Sequence, residues 1–139
     1  VVLAAKTRTV EEIREAVLAG AEIIGENYVQ EAGKMYNALG RDAVKIKWHM
    51  IGSLQKNKIN KALNVFDCIQ TIDSIETADA LNKRAQNYKK KTPVFIEINI
   101  GSEITKSGVR PEYEYVERLA GYISGQSALT LEGLMTMGP

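Results

Sequence analysis

The sequence contains very little cysteine and histidine, and it has no long run of apolar residues. Cys68 is the only cysteine in 139 residues, so no internal disulfide can form, which is typical of a reducing, cytoplasmic setting. No apolar run approaches the roughly 20 residues that cross a membrane, and no signal peptide is recognisable. The formal net charge is +1, so neither nucleic acid nor an anionic membrane is favoured as a partner.

Two further absences limit the chemistry of a site. His49 is the only histidine, and neither it nor Cys68 has partners at metal-ligand spacing, so we expect no metal site. The turn after the first predicted strand, residues 6–9, contains no glycine, whereas a doubly wound nucleotide-binding sheet needs a glycine-rich turn there. This second absence favours a barrel.

What the chain does contain is a regular alternation of short β-rich runs and amphipathic helical segments. Six runs are typical of covered parallel strands: Val2–Ala5, Glu22–Ile24, Ile46–Ile51, Cys68–Ile72, Val94–Ile100 and Leu129–Met135. Five helical patterns fill the gaps between them. The order predicts an α/β fold, a (β/α)8 TIM-type barrel of roughly 200–250 residues, of which this chain covers about strands 1–6.

Local signals mark where the predicted helices begin. Thr9 and Glu12 form a capping box, and Ser74 opens a later helix. Ser53 and Asn27 are candidate caps for two others. For Asn27, capping is the simpler interpretation, and a role in a site is the alternative.

Lys6 is the most informative residue of the chain, because it directly follows the apolar run at residues 1–5. The carboxyl ends of barrel strands are where the chemistry of such folds lies. A lysine in an apolar pocket can lose its proton and attack a carbonyl, giving a Schiff base. The simpler alternative is a solvated lysine at the end of a strand.

Polar residues also follow the other predicted strands. They are Glu26 and Asn27, His49, Thr71 and Asp73, Asn99 and Thr136. Because all strands of a barrel point the same way, these side chains should converge on one face. The polar loop at residues 102–108 follows the fifth strand, and it is either a plain surface loop or part of the rim of a pocket.

Seven segments together resemble the pyridoxal-phosphate homeostasis proteins, the YggS/PROSC family. They occur in family order and span essentially the whole chain: Ala5-Lys6-Thr7, Gly25 to Glu31, Trp48 to Lys58, Thr71 to Ser74, Ile98 to Ile100, Lys106-Ser107-Gly108 and Gly133-Leu134-Met135. The second and third of these segments are long and specific.

The resemblance implies a protein that binds pyridoxal 5'-phosphate (PLP) in one barrel similar to the N-terminal domain of alanine racemases. Lys6 matches the lysine that holds the cofactor as an aldimine, and Asn27, His49, Gly52 and Met135 match positions around it. It also implies a helix before the first strand and phosphate-binding residues around the last two strands. We therefore expect residues 1–139 to form a single, incomplete barrel domain, without that helix and the last two β/α units.

The function implied by the resemblance is intracellular PLP homeostasis and carriage, without catalytic turnover. The expected partner is PLP, apo PLP-dependent enzymes are further candidates, and the full-length protein is expected to be a cytoplasmic monomer. One alternative is a PLP-dependent amino-acid racemase or a related fold-type III enzyme. A second is an aldolase that forms a Schiff base on Lys6 without any cofactor.

Overall fold

A computed structural model describes residues 1–101 and 107–138 of the chain. Within these ranges six strands alternate with five α-helices. The strands are β1 (Leu3–Ala4), β2 (Ile23–Glu26), β3 (Lys47–Met50), β4 (Cys68–Ile72), β5 (Thr92–Ile98) and β6 (Leu129–Thr136). The helices are α1 (Val10–Leu18), α2 (Val29–Leu39), α3 (Ile59–Val65), α4 (Ile75–Asn87) and α5 (Tyr113–Ser124).

The six strands form one sheet in the order β1-β2-β3-β4-β5-β6, and every neighbouring pair is parallel. A helix lies between each strand and the next, so every connection is a β/α crossover. This arrangement confirms the prediction of a (β/α) barrel of which the chain covers the first six strands. All carboxyl ends lie along one edge of the sheet, which we call the carboxyl edge.

The local signals in the sequence explain where most elements begin. Thr9 Oγ1 accepts a hydrogen bond from Glu12 N over 3.2 Å at the start of α1, and Ser74 caps α4. The other two predicted caps are wrong. Tyr28 is the residue that precedes α2, and α3 begins at Ile59 after a short 3-10 turn, so neither Asn27 nor Ser53 caps a helix.

The hydrophobic core lies between the sheet and the helices that cover it. Trp48 on β3 is 1% exposed, and its ring lies 5.5 Å from the ring of Tyr36 on α2. Its indole N–H is also satisfied, because Nε1 donates to Ala43 O over 3.0 Å. His49 points to the other face of the sheet and is only half-buried, as strand alternation predicts.

None of the helices in residues 1–101 and 107–138 combines the length and the apolar character that crossing a bilayer requires.

Candidate functional site

A hollow of about 760 Å³ opens at the carboxyl edge, between the ends of β2, β3 and β5. Its walls come from residues 27–30, from residues 50–53 with Gln55 and Lys58, from residues 97–99, and from Ser107 and residues 137–138. We call it the main cavity. Its volume is in the range of small-molecule sites, which is about 300–1,000 Å³. Asn27 and Gly52, two of the predicted site residues, both line it.

Asn27 and Gly52 lie together because the loops after β2 and β3 approach each other closely. A Cβ atom built on Gly52 would overlap the carbonyl oxygen of Asn27, so only glycine allows this approach. Thr71 at the end of β4 fixes the second loop, since its hydroxyl donates to Gly52 O over 2.7 Å. The wall between β2 and β3 is therefore shaped by backbone contact.

Glu97 is a cavity residue that the sequence analysis did not identify. It lies on β5 and is only 7% exposed, and its Oε2 has no hydrogen-bond partner among the described residues. Burial raises the pKa of its carboxyl, and the negative charge of Asp73 adds to the rise, while a hydrogen bond from Ser107 opposes it. The sequence signal that could have identified it is a lone carboxylate inside the apolar run at residues 94–98.

Residues 107–109 fold back along the end of β5, and we call this segment the strap. Val109 N donates to Glu97 O over 2.8 Å, and Asn99 N donates to Val109 O over 2.9 Å. Ser107 is the strap residue that lines the main cavity. Of the predicted rim at residues 102–108, Ser107 lines the cavity and Gly108 does not, while residues 102–106 lie outside the described part of the chain.

Lys6 lines a second, smaller hollow of about 440 Å³, between the end of β1 and helices α1 and α2. We call it the lysine hollow. Its other charged residues are Arg8, Glu26, Glu31 and Lys34. The Lys6 side chain is exposed, and within residues 1–101 and 107–138 its ammonium makes no hydrogen bond or ion pair. The lysine is therefore accessible to a ligand.

Glu26 is the buried acid of the lysine hollow, with an exposed fraction of 2%. Burial raises the pKa of its carboxyl to about 7, and the negative charge of Glu31 contributes a smaller part of that rise. Glu26 therefore gains or loses its proton near neutral pH. The next residue in the sequence, Asn27, lines the main cavity.

The two hollows are neighbours through the register of β1 and β2. Ala4 lies opposite Gly25, and Ala5 N donates to Gly25 O over 2.9 Å. Lys6 and Asn27 each follow this matched pair by two residues, so both stand at the carboxyl edge, after neighbouring strands. The Lys6 side chain lines the lysine hollow, whereas Asn27 lines the main cavity.

His49 and Met135, the remaining predicted site residues, are not among the residues that line either hollow. Gln70 Nε2 lies 2.7 Å from His49 Nδ1, and an amide nitrogen can only donate, so Nδ1 is the acceptor. Burial lowers the pKa of His49. The negative charge of Asp67 opposes this shift, and the positive charge of Lys47 adds to it. Met135 lies half-buried on β6, opposite Glu97 in the register.

The sequence also matches a family of known proteins. The family model described as "Alanine racemase, N-terminal domain" matches residues 2–139. The chain therefore belongs to the family of the alanine racemase N-terminal domain.

Its similarity to curated proteins is more specific than the family. The chain is 41% identical over 132 residues to the pyridoxal phosphate homeostasis protein of Pasteurella multocida, covering 95% of this chain and 56% of that protein. It is 39% identical over 136 residues to the protein of the same name from Aquifex aeolicus, covering 98% and 58%. The resemblance seen in the sequence is thereby confirmed, and the chain spans little more than half the length of these relatives.

A solved structure gives the same result for the fold. PipY of Synechococcus elongatus, solved with PLP bound, superposes with a TM-score of 0.87 and is 29% identical. The match covers 99% of this chain and 62% of PipY.

Proposed function

We propose that this chain binds PLP at the carboxyl edge of the sheet, with Lys6 as the covalent tether. The observation that carries the proposal is the exposed amine of Lys6, which has no partner among the described residues and stands at the carboxyl edge of a fold matched to PLP homeostasis proteins. The PLP bound to PipY supports it, because PipY shares this fold over 99% of the chain.

The residues at this edge fit the group. PLP supplies an aldehyde that reacts with an amine and a ring that withdraws electrons. Lys6 supplies the amine, and the side chain of Asn27 offers both a donor and an acceptor for orienting a ring. We propose that Gly52 keeps the loops close, and that His49 and Met135 support the floor of the site from β3 and β6.

We propose that the protein carries PLP and does not turn over a substrate. A carrier needs a reversible attachment point and a cavity, and Lys6 and the main cavity provide these two parts. The relatives named as homeostasis proteins support this role. On this proposal the partners are PLP and apo PLP-dependent enzymes, and the full-length protein is a cytoplasmic monomer.

We also propose that residues 1–139 form a single domain that further β/α units complete. β1 and β6 are the two edge strands of the sheet in the described residues, and each leaves one side of its backbone open to pairing. In a closed barrel these edges do not exist. A form of the protein that supplies further strands should bind PLP more tightly and associate less than the 139-residue chain.

The test of carriage incubates the PLP-loaded chain with an apo PLP enzyme and, separately, with a panel of L-amino acids. We expect the apo enzyme to become active and the amino acids to remain unchanged. Multiple turnovers of any amino acid would overturn the carrier proposal. If the chain takes up no PLP from solution, the binding proposal fails as well.

A further inference from the structure

We infer that Asp73 positions the strap wall of the main cavity and so controls how tightly the cavity holds its ligand. This inference rests on the proposed PLP-binding function. Asp73 is not among the residues that line the cavity. It acts through the strap, because Gly108 N donates to its Oδ2 over 3.1 Å.

The strap has little freedom on the side of β5. Gly108 has a φ of +116°, and a Cβ atom at this position would lie 2.7 Å from Asn99 N. Two backbone hydrogen bonds, from Val109 N to Glu97 O and from Asn99 N to Val109 O, join the strap to this end of β5. The strap backbone therefore packs directly on the end of β5, and the bond to Asp73 determines where Gly108 lies relative to β4.

The cavity side of the strap depends on weaker contacts. Ser53 Oγ lies 3.0 Å from Ser107 Oγ, and Ser107 Oγ donates to Glu97 Oε1 over 3.4 Å. The first of these contacts is exposed and the second is long. The bond from Gly108 N also ends on a carboxylate, that of Asp73, and at 3.1 Å it is shorter than the contact with Glu97. Of the side-chain bonds to the strap among the described residues, the one to Asp73 should thus contribute most to its position.

The chain offers a matched control at the opposite edge of the sheet. Asp67 Oδ2 accepts a hydrogen bond from Trp48 N over 2.8 Å. Asp67 directly precedes β4, whereas Asp73 directly follows it. The two aspartates therefore make the same kind of bond to a backbone N–H, and only Asp73 holds a wall of the cavity.

The experiment compares PLP affinity in the wild-type chain, Asp73→Ala and Asp67→Ala, with thermal stability measured for each. Asp73→Ala should weaken PLP binding about 10-fold, since a bond to a charged group is lost from the site, and Asp67→Ala should leave the affinity unchanged. Asp73→Asn keeps an acceptor oxygen and should lie within about threefold of wild type. If Asp73→Ala does not fold, Asp73→Leu and Asp67→Leu, which lack an acceptor oxygen but keep the branched shape of the side chain, carry the same comparison. Equal affinity losses at the two positions, or none at Asp73, would overturn the inference.

A readout without ligand separates this inference from the proposed function. Amide exchange of Gly108 should be slow in wild type and Asp67→Ala and fast in Asp73→Ala, whether or not PLP is present. If wild type binds no PLP, the proposed function fails, and slow exchange at Gly108 in Asp73→Ala would overturn the positioning inference independently. If a variant shows fast amide exchange at Gly108 and still binds PLP with wild-type affinity, the positioning inference is overturned while the proposed function stands.

Discussion

The two hollows at the carboxyl edge differ in how their polar groups are held. In the main cavity Ser107 contacts both Ser53 and Glu97, and the strap is bonded to β5 and to Asp73, the residue after β4. In the lysine hollow the amine of Lys6 has no partner among the described residues, and the buried Glu26 has a raised pKa. Fixed walls suit recognition by shape, whereas an accessible amine suits covalent attachment, so we propose that the two hollows divide these two tasks.

If this division is right, mutations should separate attachment from retention. Changes in the lysine hollow should alter the covalent bond to the ligand and the pH dependence of stability. Changes in the main cavity should alter affinity and the stability of the loops.

Lys6→Ala should have the largest effect, because it removes the only proposed attachment point. The visible absorption band that wild type gains with PLP should disappear, while the free energy of unfolding changes by no more than about 0.5 kcal/mol, since the side chain is exposed. Absorption titrations with PLP measure the first effect and urea denaturation the second.

Lys34→Ala is the matched control, because Lys34 lines the same hollow. The Lys34→Ala variant should still gain the visible absorption band when PLP is added. Loss of the band in Lys34→Ala, or its persistence in Lys6→Ala, would show that the attachment point was assigned to the wrong lysine.

The second effect concerns the dependence of stability on pH. The pKa of Glu26 is raised from 4.5 to about 7, so the folded state holds this proton more tightly than the unfolded state does. The resulting stability is present below pH 4.5 and is lost as the pH rises towards 7, a total of about 3 kcal/mol. Urea denaturation across this range should show that loss in wild type and not in Glu26→Gln.

Glu31→Gln serves as the comparison for Glu26, because it removes only the minor cause of the raised pKa. It should retain most of the pH dependence. An unchanged pH dependence in Glu26→Gln would contradict the assignment of the raised pKa to this residue.

The third change tests the wall between β2 and β3. Gly52→Ala should destabilise the chain by about 2 kcal/mol and weaken PLP binding, because its methyl group would push away the Asn27 carbonyl. Gly33→Ala in α2 meets no atom within 4 Å and should instead stabilise the fold by about 0.5–1 kcal/mol. Thermal denaturation of both variants makes the comparison, and equal behaviour of the two would refute the close-approach argument.

The smallest effect is expected for Ser53→Ala, which removes one exposed hydroxyl contact with Ser107. The free energy of unfolding should change by about 0.5 kcal/mol. Ser127→Ala removes a comparable exposed contact, the one between Ser127 and Gln86. It should lower the free energy of unfolding by a similar amount and leave PLP affinity unchanged. A strong loss of PLP affinity in Ser53→Ala would mean that the strap depends on Ser53 more than on Asp73.

Much of the fold was predictable from the sequence, because periodicity and caps are local. The predicted bounds of β4 are those observed, and Thr9 and Ser74 cap helices as expected. Ser53 was assigned the wrong partner because a serine hydroxyl can bond either to a helix N–H or to a distant side chain. Only the tertiary position of Ser107, 54 residues away, decides between these partners.

The candidate site was predictable only where a motif carried it. Lys6, Asn27 and Gly52 stand in segments that resemble a family, and the structure places them at one edge of the sheet. Asp73 and Gly108 are 35 residues apart in the sequence, and no local sequence pattern predicts a contact over such a separation. The presence of two separate hollows could not be predicted either, because it depends on how loops that follow different strands pack together.

Reductive trapping can identify the lysine to which PLP attaches, which we propose is Lys6. The 139-residue chain is incubated with PLP and reduced with borohydride, and its peptides are mapped by mass spectrometry. We expect a pyridoxyl adduct on Lys6, at a yield well above that of any other lysine. An adduct found only on Lys34, Lys58 or other lysines would contradict it.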